Sequence, residues 1–222
     1  MDTNQIDTTG IQSKTEKFFS GYQTKELKKG TKLIFPGEEA PFIYYVKNGY
    51  VRMSQMIADG KELTVNIFIP GTYFPFFLSF FAVENQYCYQ TISSVAVSAA
   101  PVSDVMEFAR GNVDVLWDFT RRMSAGIHGL LQSLPYQLYG TVHKRIVSTI
   151  HMLSLRCGED TADGIRIAFP ITHQDIADFT GTARETASLE MEKLQKQRII
   201  SYAHKTLVIR NLSRLKQESM LH

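Results

Sequence analysis

Residues 171–194 read ITHQDIADFTGTARETASLEMEKL, and the pattern predicts two helices joined by a tight turn. Thr172 is a good N-cap type, and Asp175 three places on completes a capping box in outline. Ile176 and Phe179 put an apolar stripe on one face. Gly181 stands where a sharp turn needs positive φ. The second helix starts near Thr182 or Ala183 and runs to Leu194. Its inward face is Ala187, Met191 and Leu194, which leaves Arg184, Glu185 and Ser188 facing out near its N-terminal end.

Two short helices with polar side chains at the start of the second have the form of a helix-turn-helix. Arg pairs with guanine, Glu accepts from cytosine N4, and Ser meets bases or phosphate. Taken alone, the stretch is equally an ordinary αα-hairpin with a solvated face. The following residues shift that balance. Arg198–Tyr202 and Thr206–Ile209 are strand-like runs on either side of Ala203-His204-Lys205, which predicts a β-hairpin wing with a basic tip.

The stretch resembles the winged helix-turn-helix of the cyclic-AMP receptor protein and fumarate-nitrate regulator (CRP/FNR) superfamily. Thr172, Gln174-Asp175-Ile176-Ala177, Thr180-Gly181 and Arg184-Glu185-Thr186 fill its motif, with Ala183 where Ser or Thr is usual. Many members carry Arg four places after the Glu. Here that place is Leu189, so the resemblance implies an operator other than the standard half-site. It assigns base reading to Arg184, Glu185 and Ser188, and backbone contact to Thr172, His173, Gln174, His204 and Lys205. Its implied partners are a double-stranded DNA operator, a second copy of the chain and, for an activator, RNA polymerase.

Between Tyr22 and Pro101 the texture is short strands separated by Gly-containing turns, which suggests a sandwich or barrel. Lys47-Asn48-Gly49 and Ala58-Asp59-Gly60-Lys61 are hairpin turns, and Pro70-Gly71 closes the next strand. The run FPGEEAPFIYYVKNGYVRMSQMIADGKELTVNIFIPGTYF resembles the sensor of the same superfamily, a double-stranded β-helix or jelly roll. None of its glycines has the strand–loop–helix setting of a phosphate loop. Members that bind cyclic nucleotides place Gly-Glu just after the strand at Tyr73-Phe74, and Arg with Ser or Thr a little later. The matching stretches here read Tyr73-Phe74-Pro75-Phe76-Phe77 and Tyr87-Cys88-Tyr89. Burying a cyclic phosphate without a cation costs several kcal/mol, so cyclic AMP is not expected. The N-terminal cysteine cluster of iron–sulfur members is absent. No cofactor is predicted, although His128 and His143 leave haem open.

What remains in the sensor is aromatic. Tyr73, Phe76, Phe77, Tyr87 and Tyr89, together with Met123, Ile127 and Leu130 of the following helix, form a candidate pocket for an aromatic or apolar effector. Family members of the halorespiration type bind halogenated phenols. The same rings serve equally as a filled core, the commoner role of clustered aromatics, and the regulator is then effector-independent or redox-responsive.

From Asn112 to Leu138 the period becomes helical. Leu116, Thr120, Met123, Ile127, Leu130 and Leu134 step by four and three, an a/d seam broken only by Thr120. The resemblance makes this the dimerisation helix, with Gly126 and Gly129 allowing close approach. Pro135 predicts a kink at Leu131, just before a hinge near Gly140-Thr141. Val142–Leu155 is a helix with Ile146, Ile150 and Leu153 inward, Gly158–Gly164 a polar loop, and Ile165–Phe169 a strand. At the other end, residues 1–12 read as a loose arm, and Ser13 as the cap of a helix over Lys14–Phe19.

These readings give an α+β chain: a β-helix sensor over 1–111, a dimerisation helix and hinge over 112–139, and a winged helix-turn-helix over 140–222. Residues 140–222 hold 12 Lys/Arg against 9 Asp/Glu, and residues 1–139 hold 12 against 13. The positive excess therefore lies in the part expected to meet phosphate. The polar N-terminus is unlike a signal peptide, and no apolar run reaches spanning length. Cys88 and Cys157 are far apart and suit free thiols. A cytoplasmic, membrane-free regulator is expected. A metal-dependent cupin enzyme is disfavoured because Thr31–Pro101 contains no histidine, and no nucleophile–base set stands out.

Overall fold

The computed structural model describes residues 8–57, 60–80, 84–203 and 206–221. The chain forms two compact units, one of Met1–Arg52 with Ile67–His128 and the other of Met53–Asn66 with Gly129–His222.

The strands of the sensor region are β1 Thr24–Leu27, β2 Lys32–Ile34, β3 Phe42–Asn48, β4 Val51–Met56, β5 Glu62–Phe68, β6 Tyr73–Phe74, β7 Tyr87–Thr91 and β8 Val95–Pro101. They make two four-stranded sheets, ordered β1-β8-β3-β6 and β2-β7-β4-β5. The first is antiparallel, with Tyr44 opposite Ala99 and Tyr45 opposite Tyr73. Alternation along β3 turns Ile43 and Tyr45 to one face, where Ile43 lies opposite Ala100 of β8 in the core, while Val46 and its partner Val97 are buried on the other face. Gly49 has φ 83°, and a Cβ there would run into the carbonyl oxygen of Ser94, so the turn at Lys47-Asn48-Gly49 requires glycine, but it carries the chain from β3 of one sheet to β4 of the other and is not the expected hairpin.

Helix α1 spans Thr8–Ser20, α2 Val102–Gly111 and α3 Val113–Tyr139. The core of the first unit joins Phe19 of α1, Ile43 and Tyr45 of β3, Val105 and Ala109 of α2, and Val115 and Phe119 of α3. Two expectations change here. Ser13 lies inside α1 and does not cap it. Residues 102–111 are also helical, with Val105 and Ala109 one turn apart on the buried side.

Helix α3 is amphipathic in the predicted sense. Leu116, Met123, Ile127, Leu130 and Leu134 are each 44–53% exposed. On its other side Val115, Asp118 and Phe119 are buried in the first unit, and Tyr136 is buried in the second. The helix runs unbroken through Pro135 to Tyr139. Thr141 then caps the next helix by accepting from Lys144 N, so the two helices part at Gly140, where the hinge is expected.

The second unit contains α4 Val142–Cys157, α5 His173–Thr180, α6 Arg184–Lys196 and α7 Leu212–Glu218. Its strands, β9 Gly158–Thr161, β10 Gly164–Ile167, β11 Ile200–Ala203 and β12 Thr206–Ile209, form a sheet ordered β11-β12-β10-β9. The predicted loop at 158–164 is thus mostly strand, with only 162–163 as its turn: β9 pairs with β10 in register from Gly158–Ile167 to Thr161–Gly164. The wing's first strand begins two residues later than expected, because Arg198 takes a left-handed φ of 59° after α6 ends. Ile146, Ile150, Leu153, Ile176, Ala187, Met191, Leu194, Leu207 and Leu215 make the core, each fully buried. Neither cysteine is in a disulfide, and both are buried. No helix of the described residues is long and apolar enough to cross a membrane.

Candidate nucleic-acid interface

The helix-turn-helix is fixed by local chemistry. Thr172 Oγ1 accepts from Asp175 N at 3.1 Å, and Asp175 Oδ2 accepts from Thr172 N at 2.7 Å, a reciprocal capping box. At the far end of α5, Gly181 adopts φ 62°, ψ 31°, and its N–H bonds the carbonyl of Ala177. Thr182 N reaches the same carbonyl at 3.1 Å. The turn therefore redirects the chain within three residues, and Ala183, extended at φ −72°, ψ 147°, starts α6.

Helix α6 buries Ala187, Met191 and Leu194 and exposes Arg184, Glu185, Leu189 and Glu192. Among the described residues, neither Arg184 nor Glu185 has a hydrogen-bond or ion-pair partner, so both heads are available to a ligand. Ser188 is half-buried and differs from them. Its hydroxyl lies 2.8 Å from His173 Nδ1, and the His173 ring sits 5.6 Å from that of Tyr202 on β11. One histidine thus touches the reading helix and the wing. Burial, reinforced by the Asp175 charge, raises the Tyr202 hydroxyl well above its usual range. Sequence spacing gives no signal for this arrangement, which depends on how three elements pack.

Thr172 and Gln174 are exposed at the start of α5. The Thr172 hydroxyl serves the capping box, and Gln174 Nε2 donates to Asp178 Oδ1 at 2.7 Å. His204 and Lys205, the expected wing tip, lie outside the described residues. Unlike α4, α5 and α7, whose caps Thr141, Thr172 and Asn211 use side-chain oxygens, α6 begins at Ala183 with no side-chain cap. Its first N–H groups are left for solvent or a phosphate.

His143 at the start of α4 faces Glu190 of α6 with Nδ1 (3.0 Å) and Glu218 of α7 with Nε2 (3.1 Å). Burial pushes the Glu190 carboxyl up. Hydrogen bonds from Lys193 and His143 outweigh that and hold it below the usual carboxylate range. His143 thus links α4 to α6 and α7 through both ring nitrogens. His128 is exposed on α3.

In the sensor, Tyr73, Phe76 and Tyr89 are buried, and Phe77 and Tyr87 are half-buried. Tyr73 packs on Phe119 at 4.5 Å and Phe76 on Phe119 at 4.7 Å. Phe74 stacks on Tyr89 at 5.2 Å, and Phe77 meets Tyr87 edge-on at 5.7 Å. Among the described residues the buried hydroxyls of Tyr73 and Tyr89 have no hydrogen-bond partner, and burial raises both far above the ordinary tyrosine range. Met123, Ile127 and Leu130 lie instead on the exposed seam of α3. The helix contributes Phe119 to the ring cluster, a residue whose spacing from Val115 marks the buried side.

Comparison with known proteins agrees with this architecture. The cyclic nucleotide-binding domain family matches residues 24–111, and the Crp-like helix-turn-helix domain family matches residues 144–218. The global nitrogen regulator of Nostoc sp. is 25% identical over 182 residues, 80% of each chain. The cAMP-activated global transcriptional regulator CRP of Pasteurella multocida is 26% identical over 211 residues, 91% of this chain and 97% of that one. The solved structure of FixK2 from Bradyrhizobium japonicum superposes with a TM-score of 0.76 at 20% identity, covering 90% of this chain and 98% of that one, so the fold is shared. With both family domains present in order and joined by one long helix, the chain belongs to the CRP/FNR superfamily of DNA-binding transcription regulators.

Proposed function

We propose that the protein is a homodimeric, sequence-specific regulator that inserts α6 into the major groove. Arg184 and Glu185 read base edges there, with Ser188 beside them. Thr172, His173 and Gln174, with His204 and Lys205 of the wing, meet the backbone and set the register. The observation that carries this reading is the pair of exposed, unpartnered heads of Arg184 and Glu185 on a helix whose opposite face is fully buried. Two copies pair through α3, whose leucine-rich seam is half exposed along its length. Pairing would place two reading helices on half-sites about 34–36 Å apart. As an activator, the dimer would also contact RNA polymerase.

The test is binding of the full chain to duplex DNA across a salt series. A steep fall of log K with log salt supports the reading, because each neutralised phosphate contributes a slope of about −0.9. A flat dependence would show that the helix-turn-helix binds something other than DNA.

Control by a small effector that is not a cyclic nucleotide rests on the sensor rings. The buried hydroxyls of Tyr73 and Tyr89, unpartnered among the described residues, suit an aromatic or apolar ligand carrying a hydrogen-bonding group. The second reading is an effector-independent regulator, favoured by the way Tyr73, Phe76 and Phe119 fill one another's faces. Its redox-responsive form has less support, because burial pushes the Cys157 thiol up to about 11, leaving little thiolate at neutral pH. A thermal-shift screen against cyclic AMP, haem and phenols separates these readings. A ligand at about 100 times its dissociation constant adds about 2.7 kcal/mol. A phenol response without a cyclic AMP response supports an effector site, and no response to any of them supports the filled core.

A further inference from the structure

Leu189 is 59% exposed on α6, one turn beyond Glu185 and adjacent to Ser188. Residues four apart on a helix lie in one row, so Leu189 continues the row that starts with Glu185. It has neither donor nor acceptor and cannot contribute to phosphate contact or hydrogen-bond readout. Its exposure shows that it does not belong to the core, and it lies on α6 rather than on the α3 seam.

In the major groove the base edges present donors, acceptors and one apolar feature, the C5 methyl of thymine. Four residues of helix rise about 6 Å, close to two base steps of about 3.4 Å each. A helix lying along the groove with Glu185 at one base pair therefore brings Leu189 level with the pair about two steps away. The neighbouring Ser188 hydroxyl is held by His173 at 2.8 Å. The Ser188 hydroxyl is thus engaged within the protein, and Leu189 beside it offers an exposed apolar side chain.

We propose that Leu189 is a specificity-determining residue that contacts a thymine methyl inside the half-site, about two base pairs from the pair met by Glu185. This rests on the DNA-binding reading of α6.

The experiment uses the full-length protein. Its preferred duplex is selected from a random pool, and each thymine of the half-site is then replaced in turn by deoxyuridine. That change removes the C5 methyl and keeps the base pairing. One replacement should weaken wild-type binding about fourfold, the effect of one methyl-sized group returned to water. Leu189→Ala should bind the thymine and deoxyuridine duplexes equally well. If wild-type protein is indifferent to every replacement, or Leu189→Ala remains as sensitive as wild type, the inference is overturned while the DNA-binding reading stands. If no duplex is enriched from the pool, the DNA-binding reading itself fails and this inference fails with it.

Discussion

His173 Nδ1 lies 2.8 Å from Ser188 Oγ, joining the first residue of α5 to the second turn of α6. A half-buried hydrogen bond of this kind is worth about 0.5–1.5 kcal/mol. His173→Ala and Ser188→Ala should therefore be non-additive in urea denaturation, with a coupling of that size. Additive losses would show that the bond does not form in solution. Nδ1 is the nitrogen engaged, which leaves Nε2 for a phosphate. His173→Ala should also weaken binding by a similar factor on every duplex sequence, as the loss of a backbone contact does.

Ala183 has the extended backbone of an N-cap but no oxygen to accept from the first turn of α6. Ala183→Ser should supply that acceptor and stabilise the protein by about 1 kcal/mol, read as a higher urea midpoint at unchanged m-value. An unaltered midpoint would mean that solvent already satisfies those N–H groups equally well.

Arg184→Ala should cost roughly 1–3 kcal/mol on the selected operator and relax the preference at one base position. Binding to the operator and to scrambled duplexes, measured at one salt concentration, decides the role. An equal loss on every sequence would identify Arg184 as a phosphate contact only.

The parts of this site that could be read from the sequence are those built from short-range chemistry. The Thr172–Asp175 capping box spans three residues, Gly181 marks its own left-handed turn, and Ala187, Met191 and Leu194 repeat with the helical period. His143 with Glu190 and Glu218, and His173 with Ser188, are separated by 47, 75 and 15 residues and meet only through packing. Strand β9 was hidden for a different reason. All four of its residues are exposed, so an edge strand wetted on both faces carries no alternation to detect. Helix α2 follows β8 without a loop, and only Val105 and Ala109 mark its buried side. In the sensor, the aromatic composition pointed to a ring cluster but could not distinguish a pocket from a core, since the same residues serve both.

Asp118 is buried on α3 and receives Arg121 at 2.7 Å and Arg122 at 2.6 Å. Arg122 also donates to the carbonyl of Gly71 at 3.3 Å and lies over the Tyr73 ring. Removing one partner of a buried pair costs about 3–5 kcal/mol. Both guanidinium groups reach solvent, which reduces that figure, so Asp118→Ala should cost about 1–3 kcal/mol. Thermal unfolding measures the loss. A change below about 0.5 kcal/mol would place Asp118 among ordinary surface ion pairs.

His151 gives the chain a predictable response to acid. It is buried on α4, its Nδ1 lies 3.1 Å from Ser219 Oγ, and among the described residues its Nε2 has no hydrogen-bond partner. Burial first, and then the Lys216 charge, hold the imidazole below its ordinary value of 6.5. The folded state therefore binds this proton less readily than the unfolded chain. The sign follows from linkage: stability from His151 is fully present above about pH 6.5 and is lost as the pH falls below that value and through the depressed folded one. His151→Leu removes the titration, while Ser219 keeps its bonds with Ser148 and Leu221 N. Urea midpoints measured from pH 8 down to pH 5 should fall less steeply for His151→Leu than for wild type. Parallel curves would mean that the imidazole accepts its proton in the folded protein as easily as in the unfolded one, and acid sensitivity would then have to come from the carboxylates.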